Sequence, residues 1–248
     1  MALREQLEKQ GQWIFKWRSF FPFLMTPLCL IALRDAAYLE RAAGPLAELL
    51  WEILCISISF TGMFLRCLTV GFVPKGTSGR NTQKQLADSL NTTGMYSVVR
   101  NPLYLSNFLM IIGLVLFVEV WWLAVASVLF FWFMYERIIF TEEEYLRKKF
   151  GEEFMIWADK TPAFFPHFKN WQTQSMPFSA KTVLRREHST LFAIVATFAV
   201  GEILGDLFSQ GKIALEPRWI IFFFSGLIIY MTLRTLKKKT KLLNVEGR

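Results

Sequence analysis

Histidine is nearly missing from this chain of 248 residues, with only His167 and His188, far apart and in polar surroundings. The three cysteines, Cys29, Cys55 and Cys67, fall in or at the end of apolar runs without metal-ligand spacing. They read as buried thiols, so neither a zinc site nor a disulfide framework is expected. No HExxH, CxxC, GxSxG, Walker loop or GxGxxG fingerprint occurs, which argues against a zinc protease, a serine lipase and an ATP-driven pump. It does not argue against an enzyme whose cofactor pocket belongs to a membrane fold. Charged residues are scarce at 19%, against 53% apolar, which is far from a disordered chain and leans away from an ordinary soluble domain. The N-terminus lacks the basic, apolar and small-residue pattern of a cleaved signal peptide, so the first helix is expected to be retained.

What the chain has instead is aromatic and apolar bulk, with 25 Phe and nine Trp mostly in or beside long apolar runs. A lipid-facing surface uses such residues, with Trp near the headgroups. A spanning helix needs about 20 mostly apolar residues. The candidates are 17–33, bent by Pro22 and Pro27, then 46–68, 103–117, 120–135, 191–208 and 219–233. The third and fourth are separated only around Glu119 and read as a tight helical hairpin, because one continuous helix would overrun the hydrocarbon. The polar stretch 71–100 reads as a loop or short re-entrant elements. Within the charged stretch 136–189, the segment Glu142 to Trp157 repeats apolar residues at helical intervals and predicts an amphipathic helix at the interface. The expected fold is all-α, one polytopic transmembrane bundle of about six spans over 1–248 with that interfacial helix.

The net charge of +8 does not mark a nucleic-acid binder, since no soluble domain is available to carry one. With six spans and the N-terminus inside, 24 of the 28 Lys and Arg fall in inside segments, so the positive-inside rule selects cytoplasmic N and C termini. The expected location is a bacterial inner membrane.

Folding the hairpin brings Arg100 to Tyr104 near Arg137 to Glu143 at its cytoplasmic mouth. Pro102 suits a first helical turn, where its missing N–H needs no partner. Tyr104 reaches headgroup depth, as an anchor or as part of a site. Glu142, Glu143 and Glu144 precede Arg147, Lys148 and Lys149, which complements a helix dipole and supports pairs such as Glu143 with Arg147. Three consecutive carboxylates cannot all face one partner, so at least one is expected to be free for a cationic ligand group. Glu202 and Asp206, four residues apart, share a helix face and suit either a proton or cation relay or packing against a basic neighbour.

The run Gly94-Met95-Tyr96-Ser97-Val98-Val99-Arg100-Asn101-Pro102-Leu103-Tyr104-Leu105-Ser106-Asn107, followed after the hairpin by Arg137 and the block Glu142-Glu143-Glu144-Tyr145-Leu146-Arg147, resembles the integral-membrane methyltransferases. That family includes the isoprenylcysteine carboxyl methyltransferases and the phospholipid N-methyltransferases. The resemblance spans about 90–166 and implies a cofactor-binding core there, with 189–235 an added helical pair offering a substrate surface or an oligomer contact.

The resemblance further implies S-adenosyl-L-methionine as cofactor and no metal. Tyr96, Arg100, Pro102, Tyr104, Arg137, Glu142 and Glu143 would surround it, and Arg100, Asn101 and Tyr104 would stand at the reaction. Asn101 departs from the family's usual His; it can exchange hydrogen bonds but cannot act as a general base. The expected activity is methyl transfer to a membrane lipid headgroup, on phosphate oxygen or amine nitrogen, with an anionic headgroup favoured. The alternatives are an isoprenylcysteine carboxyl methyltransferase and a non-enzymatic scaffold or transporter.

Overall fold

A computed structural model describes residues 2–36, 42–74, 76–77, 85, 87–213 and 215–247. The described elements are helical: α1 (Leu3–Trp17), α2 (Phe21–Leu24), α3 (Thr26–Ala32), α4 (Pro45–Phe72), α5 (Met95–Val98), α6 (Pro102–Leu116), α7 (Trp121–Phe150), α8 (Glu152–Lys160), α9 (Ala180–Gln210) and α10 (Pro217–Lys239), with short 3-10 turns at Leu33–Asp35 and Phe168–Asn170. Part of the loop read at 71–100 lies outside the described residues.

Four helices, α4, α7, α9 and α10, are long and apolar enough to cross a membrane. The chain is therefore an all-α, multi-span membrane bundle. The other two expected spans take different forms. α6 is apolar but only 15 residues long. The candidate at 17–33 is not a bent helix: it is divided into α2, α3 and a 3-10 turn, consistent with Pro27 supplying no N–H and starting a new helix at its second residue. These pieces still follow α7, from Phe21 beside Phe130 and Ile138 to Ala32 beside Val120 and Leu123.

The hairpin expected from Glu119 is present as α6, a turn and α7. Glu119 has φ +63°, the one non-glycine residue with positive φ among those described. The separate amphipathic helix expected at 142–157 is not found. α7 runs unbroken from Trp121 through Phe150 and stops at Gly151, whose φ of +54° ends the helix before α8 begins. The helix-forming Glu-Leu-Arg-Lys run sustains it past the apolar stretch, and only glycine interrupts it.

Close packing of α4 on α6 fixes the centre. A Cβ on Gly113 would collide with Ser59 and the Cys55 carbonyl, and Ser59 Oγ donates to the Met110 carbonyl at 2.9 Å. Small residues permit this approach where lipid gives little hydrophobic reward for helix association. Cys55, Met63, Met110, Ile194, Phe198 and Trp219 complete the core between α4, α6, α9 and α10. Large apolar side chains such as Phe64, Trp121, Leu129, Ile221 and Ile228 point outward, as lipid-facing residues do.

At the end of the bundle remote from Arg100, Arg218 forks onto buried Glu52 at 2.6 and 3.1 Å, with Glu202 3.9 Å away. Of the two readings of Glu202, the geometry shows the basic neighbour.

Candidate functional site

Pro102 starts α6 at its first position, so Arg100 and Asn101 sit just before a helix that begins below the surface. The chain from Thr161 to Gln172 runs beside 94–101 as a strap. Arg100 N–H donates to the Pro162 carbonyl at 2.8 Å, Asn101 Nδ2 to the Ala163 carbonyl at 3.0 Å and His167 N–H to the Val98 carbonyl at 3.0 Å. Phe164 anchors the strap between α6 and α7, packing on Phe108, Phe131 and Trp132.

Arg100 joins three elements. Its Nε donates to Glu143 Oε1 of α7 at 2.9 Å, and Nη1 donates to the carbonyls of Ala158 and Thr161 at the end of α8, at 2.7 and 3.2 Å. A planar guanidinium with five N–H donors can make such a divided set of bonds, and lysine cannot.

The three consecutive glutamates divide among four arginines. Glu142 pairs with Arg18 at 3.3 Å, Glu143 with Arg100, and buried Glu144 with Arg4 and with Arg147 at 3.8 Å. The expectation that one would be left without a cation is corrected: successive positions on a helix are about 100° apart, so each meets a different neighbour. The helical pair formed by Arg147 is with Glu144, not Glu143.

Glu142, Glu143, Arg18 and Arg100 line a partly open cavity of about 580 Å³. Tyr96, Arg100, Asn101, Pro102, Tyr104, Glu142 and Glu143 all line it, so seven residues singled out in the sequence share one space. Arg137 does not. Its guanidinium lies over the Phe133 ring at 3.6 Å and turns to Gln10 of α1, away from the cavity.

Other lining residues were not singled out. Arg18 donates to Tyr104 Oη and Glu142 Oε1, both at 3.3 Å. Arg66 of α4 donates to Glu187 of α9 at 2.7 Å and to Asn107 Oδ1 at 3.0 Å, and Asn107 in turn reaches Tyr135 Oη at 3.5 Å. Both arginines lie beside or within apolar runs, where a charge signals either a function or a partner. Trp157 Nε1 donates to the Tyr96 carbonyl at 3.0 Å, closing another side.

Burial, aided by the nearby Glu142 charge, pushes the Tyr96 phenol up to about 12, so it stays protonated and able to donate near neutral pH. Further along α6 and α9 the lining becomes apolar, with Met110, Ile111, Leu114, Ala193 and Ile194. The cavity thus joins a charged, hydrogen-bonding region to an apolar slot, a common form for a site that takes a specific ligand.

Comparison with known proteins gives this geometry a family context. The phospholipid methyltransferase family matches residues 53–153. The nickel-cobalt-cadmium resistance protein NccN of Alcaligenes xylosoxydans xylosoxydans is 33% identical over 125 residues, 50% of this chain and 58% of that protein. The cobalt-zinc-cadmium resistance protein CzcN of Cupriavidus metallidurans is 39% identical over 88 residues, 36% of this chain and 40% of that protein. The chain therefore spans only 58% and 40% of the length of these two relatives. No solved structure matches. A phospholipid-methyltransferase-like domain is present over part of the chain, and it holds the seven cavity residues named from the sequence.

Proposed function

We propose that the phospholipid-methyltransferase-like domain makes this chain an S-adenosylmethionine-dependent enzyme that methylates the polar group of a membrane amphiphile. The observation that carries the reading is the single cavity uniting the Arg100-to-Tyr104 block, the Glu142–Glu143 pair and the apolar slot of α6 and α9. The donor set fits the cofactor. Glu142 and Glu143 suit its ammonium group through the acceptor sites that their arginines leave over, Arg100 or Arg18 suits its carboxylate, and Tyr96, Asn91 and Trp157 add hydrogen-bonding and aromatic surface around a nucleoside. When bound, the cofactor supplies an electrophilic methyl group on a sulfonium.

The protein's task is alignment and exclusion of water, because methyl transfer from sulfonium needs little covalent help. Arg100 holds Glu143 and the α8 end in fixed register. Asn101, tied to the strap through Ala163, keeps that strap over the site. Tyr104 and Tyr135, with ring centroids 4.8 Å apart, form a rigid wall between the charged region and the slot.

The acceptor's polar group is placed against Arg66, Asn107 and Tyr135, and its apolar tail between α6 and α9. A lipid phosphate oxygen is favoured as the methyl acceptor, since it needs no base to remove a proton. An amine nitrogen would first have to lose one. In the same reading the charged end of the bundle faces the cytoplasm, which the concentration of Lys and Arg in its connecting segments supports.

The test is to reconstitute the full chain in vesicles of phosphatidylglycerol and phosphatidylethanolamine with methyl-labelled cofactor. Label is expected in the lipid extract, in a species whose charge identifies a phosphate ester. Label in the amine lipid would reassign the acceptor, and absence of label from every lipid would contradict lipid methylation.

A further inference from the structure

Residues 1–18 lie outside the family match at 53–153, yet two of them, Phe15 and Arg18, reach the cavity. We propose that α1 is a working part of the site and that Arg18, carried at its end, is a positioning residue for Glu142 and Tyr104. The functional half of this inference rests on the methyltransferase reading; the structural half does not.

Glu142 and Glu143 are adjacent carboxylates facing one partly enclosed space, so their charges repel unless each has a cation. Glu143 takes Arg100 from within the matched domain. Glu142 takes Arg18, 124 residues away in sequence. The same Nη1 of Arg18 contacts Tyr104 Oη, so one guanidinium fixes the carboxylate and the phenol together. Phe15 lies beneath that guanidinium, 4.0 Å from it, and limits its motion. Without Arg18, two carboxylates would share Arg100, whose remaining donors already hold the end of α8.

The rest of α1 is built to deliver this arginine. Arg4, Glu8, Gly11, Phe15 and Arg18 recur every three or four residues, hence on one helix face. Arg4 pairs with Glu144 and Glu8 with Lys148 at 2.7 Å. Gly11 lets the helix touch α7, since a Cβ there would collide with Thr141 Oγ1 and the Arg137 carbonyl. Ile14 and Phe15 then pack against Ile138 and Tyr104. Trp13 and Trp17 remain at least half exposed on the other side, where aromatic rings anchor a helix at the headgroup level. Docking is thus specified turn by turn, and its last contact is made in the cavity.

The experiment compares the full chain in lipid nanodiscs with Arg18→Gln, Arg18→Lys, Gly11→Leu, Glu142→Gln and the double variants R18Q/E142Q and R18Q/G11L. Thermal denaturation reads the contact and calorimetric titration with S-adenosylmethionine reads the site. R18Q is expected to weaken cofactor binding tenfold or more, R18K to recover part of it, and G11L to reproduce R18Q. R18Q/G11L is expected to be no worse than R18Q, because both remove the same arginine. R18Q/E142Q should melt above the temperature expected from adding the two single effects.

Unchanged melting and unchanged affinity in R18Q would overturn the proposal, as would additive losses in R18Q/G11L. If the unaltered chain binds no cofactor, the methyltransferase reading fails. The melting cycle then decides the contact by itself: coupling between Arg18 and Glu142 supports it, and strict additivity overturns it.

Discussion

Arg100 Nε donates to Glu143 Oε1 at 2.9 Å, joining two blocks 43 residues apart across the α6–α7 hairpin. The pair is partly buried, with side chains 19% and 21% exposed. Arg100 also holds two carbonyls at the end of α8, so it organises the cavity wall whether or not it touches a ligand. Replacing it with Ala should cost about 2–3 kcal/mol through the orphaned carboxylate and carbonyls. Replacing it with Lys should recover only part, which thermal denaturation in one detergent will measure.

Glu119 should be a site of easy stabilisation. Its φ of +63° costs a side-chain-bearing residue about 1–2 kcal/mol relative to a compatible glycine. Glu119→Gly is expected to raise the melting temperature without altering cofactor affinity. An unchanged or lower melting temperature would show that the carboxylate contributes more than the turn conformation costs.

The α4–α6 contact should not tolerate bulk. Gly113→Leu must separate helices held by Ser59 and the Cys55 carbonyl, at a cost of about 3 kcal/mol or more. A Gly113→Ala variant should suffer less but in the same direction. Denaturation profiles of the two, compared with a Phe64→Leu control on the exposed surface, will show whether the loss follows side-chain volume.

The Arg218–Glu52 pair should affect stability alone. Removing Arg218 leaves Glu52, only 6% exposed at its side chain, without its forked partner, and Arg218→Gln should cost roughly 2–3 kcal/mol. The double change with Glu52→Gln should cost less than the single one, because the uncompensated charge is gone. Cofactor affinity should stay within twofold in both; a larger loss would connect this end of the bundle to the site.

Much of the site was legible because its residues occur as two compact blocks. Pro102 marks a helix start, the turn at Glu119 marks a hairpin, and the hairpin brings Arg100 opposite Glu143. Arg18 was not legible as a site residue. In the sequence it reads as one more basic residue before an apolar run, and its partner is 124 positions away. Arg66 was obscured in the same way at the end of α4, where a topology charge and a cavity residue look alike.

Arg137 illustrates the opposite difficulty. It is only five residues from Glu142, but on α7 that spacing places it toward α1 and outside the cavity. The extent of α7 was also hidden, because polar residues from Glu142 onward suggested a new interfacial helix while their helix propensity extended the old one to Gly151. The prolines within 17–33 were legible as an interruption, but whether they bend one helix or divide it into short pieces depends on local backbone geometry that the sequence pattern does not carry.

The Arg100–Glu143 wall is the proposed S-adenosylmethionine site. It is tested most directly by calorimetric titration of the cofactor into the full chain in lipid nanodiscs, alongside Glu143→Ala. Saturable one-to-one binding is expected, weakening at least tenfold in Glu143→Ala while the folded fraction is preserved. No saturable binding by the unaltered chain, or equal binding by the variant, would contradict it.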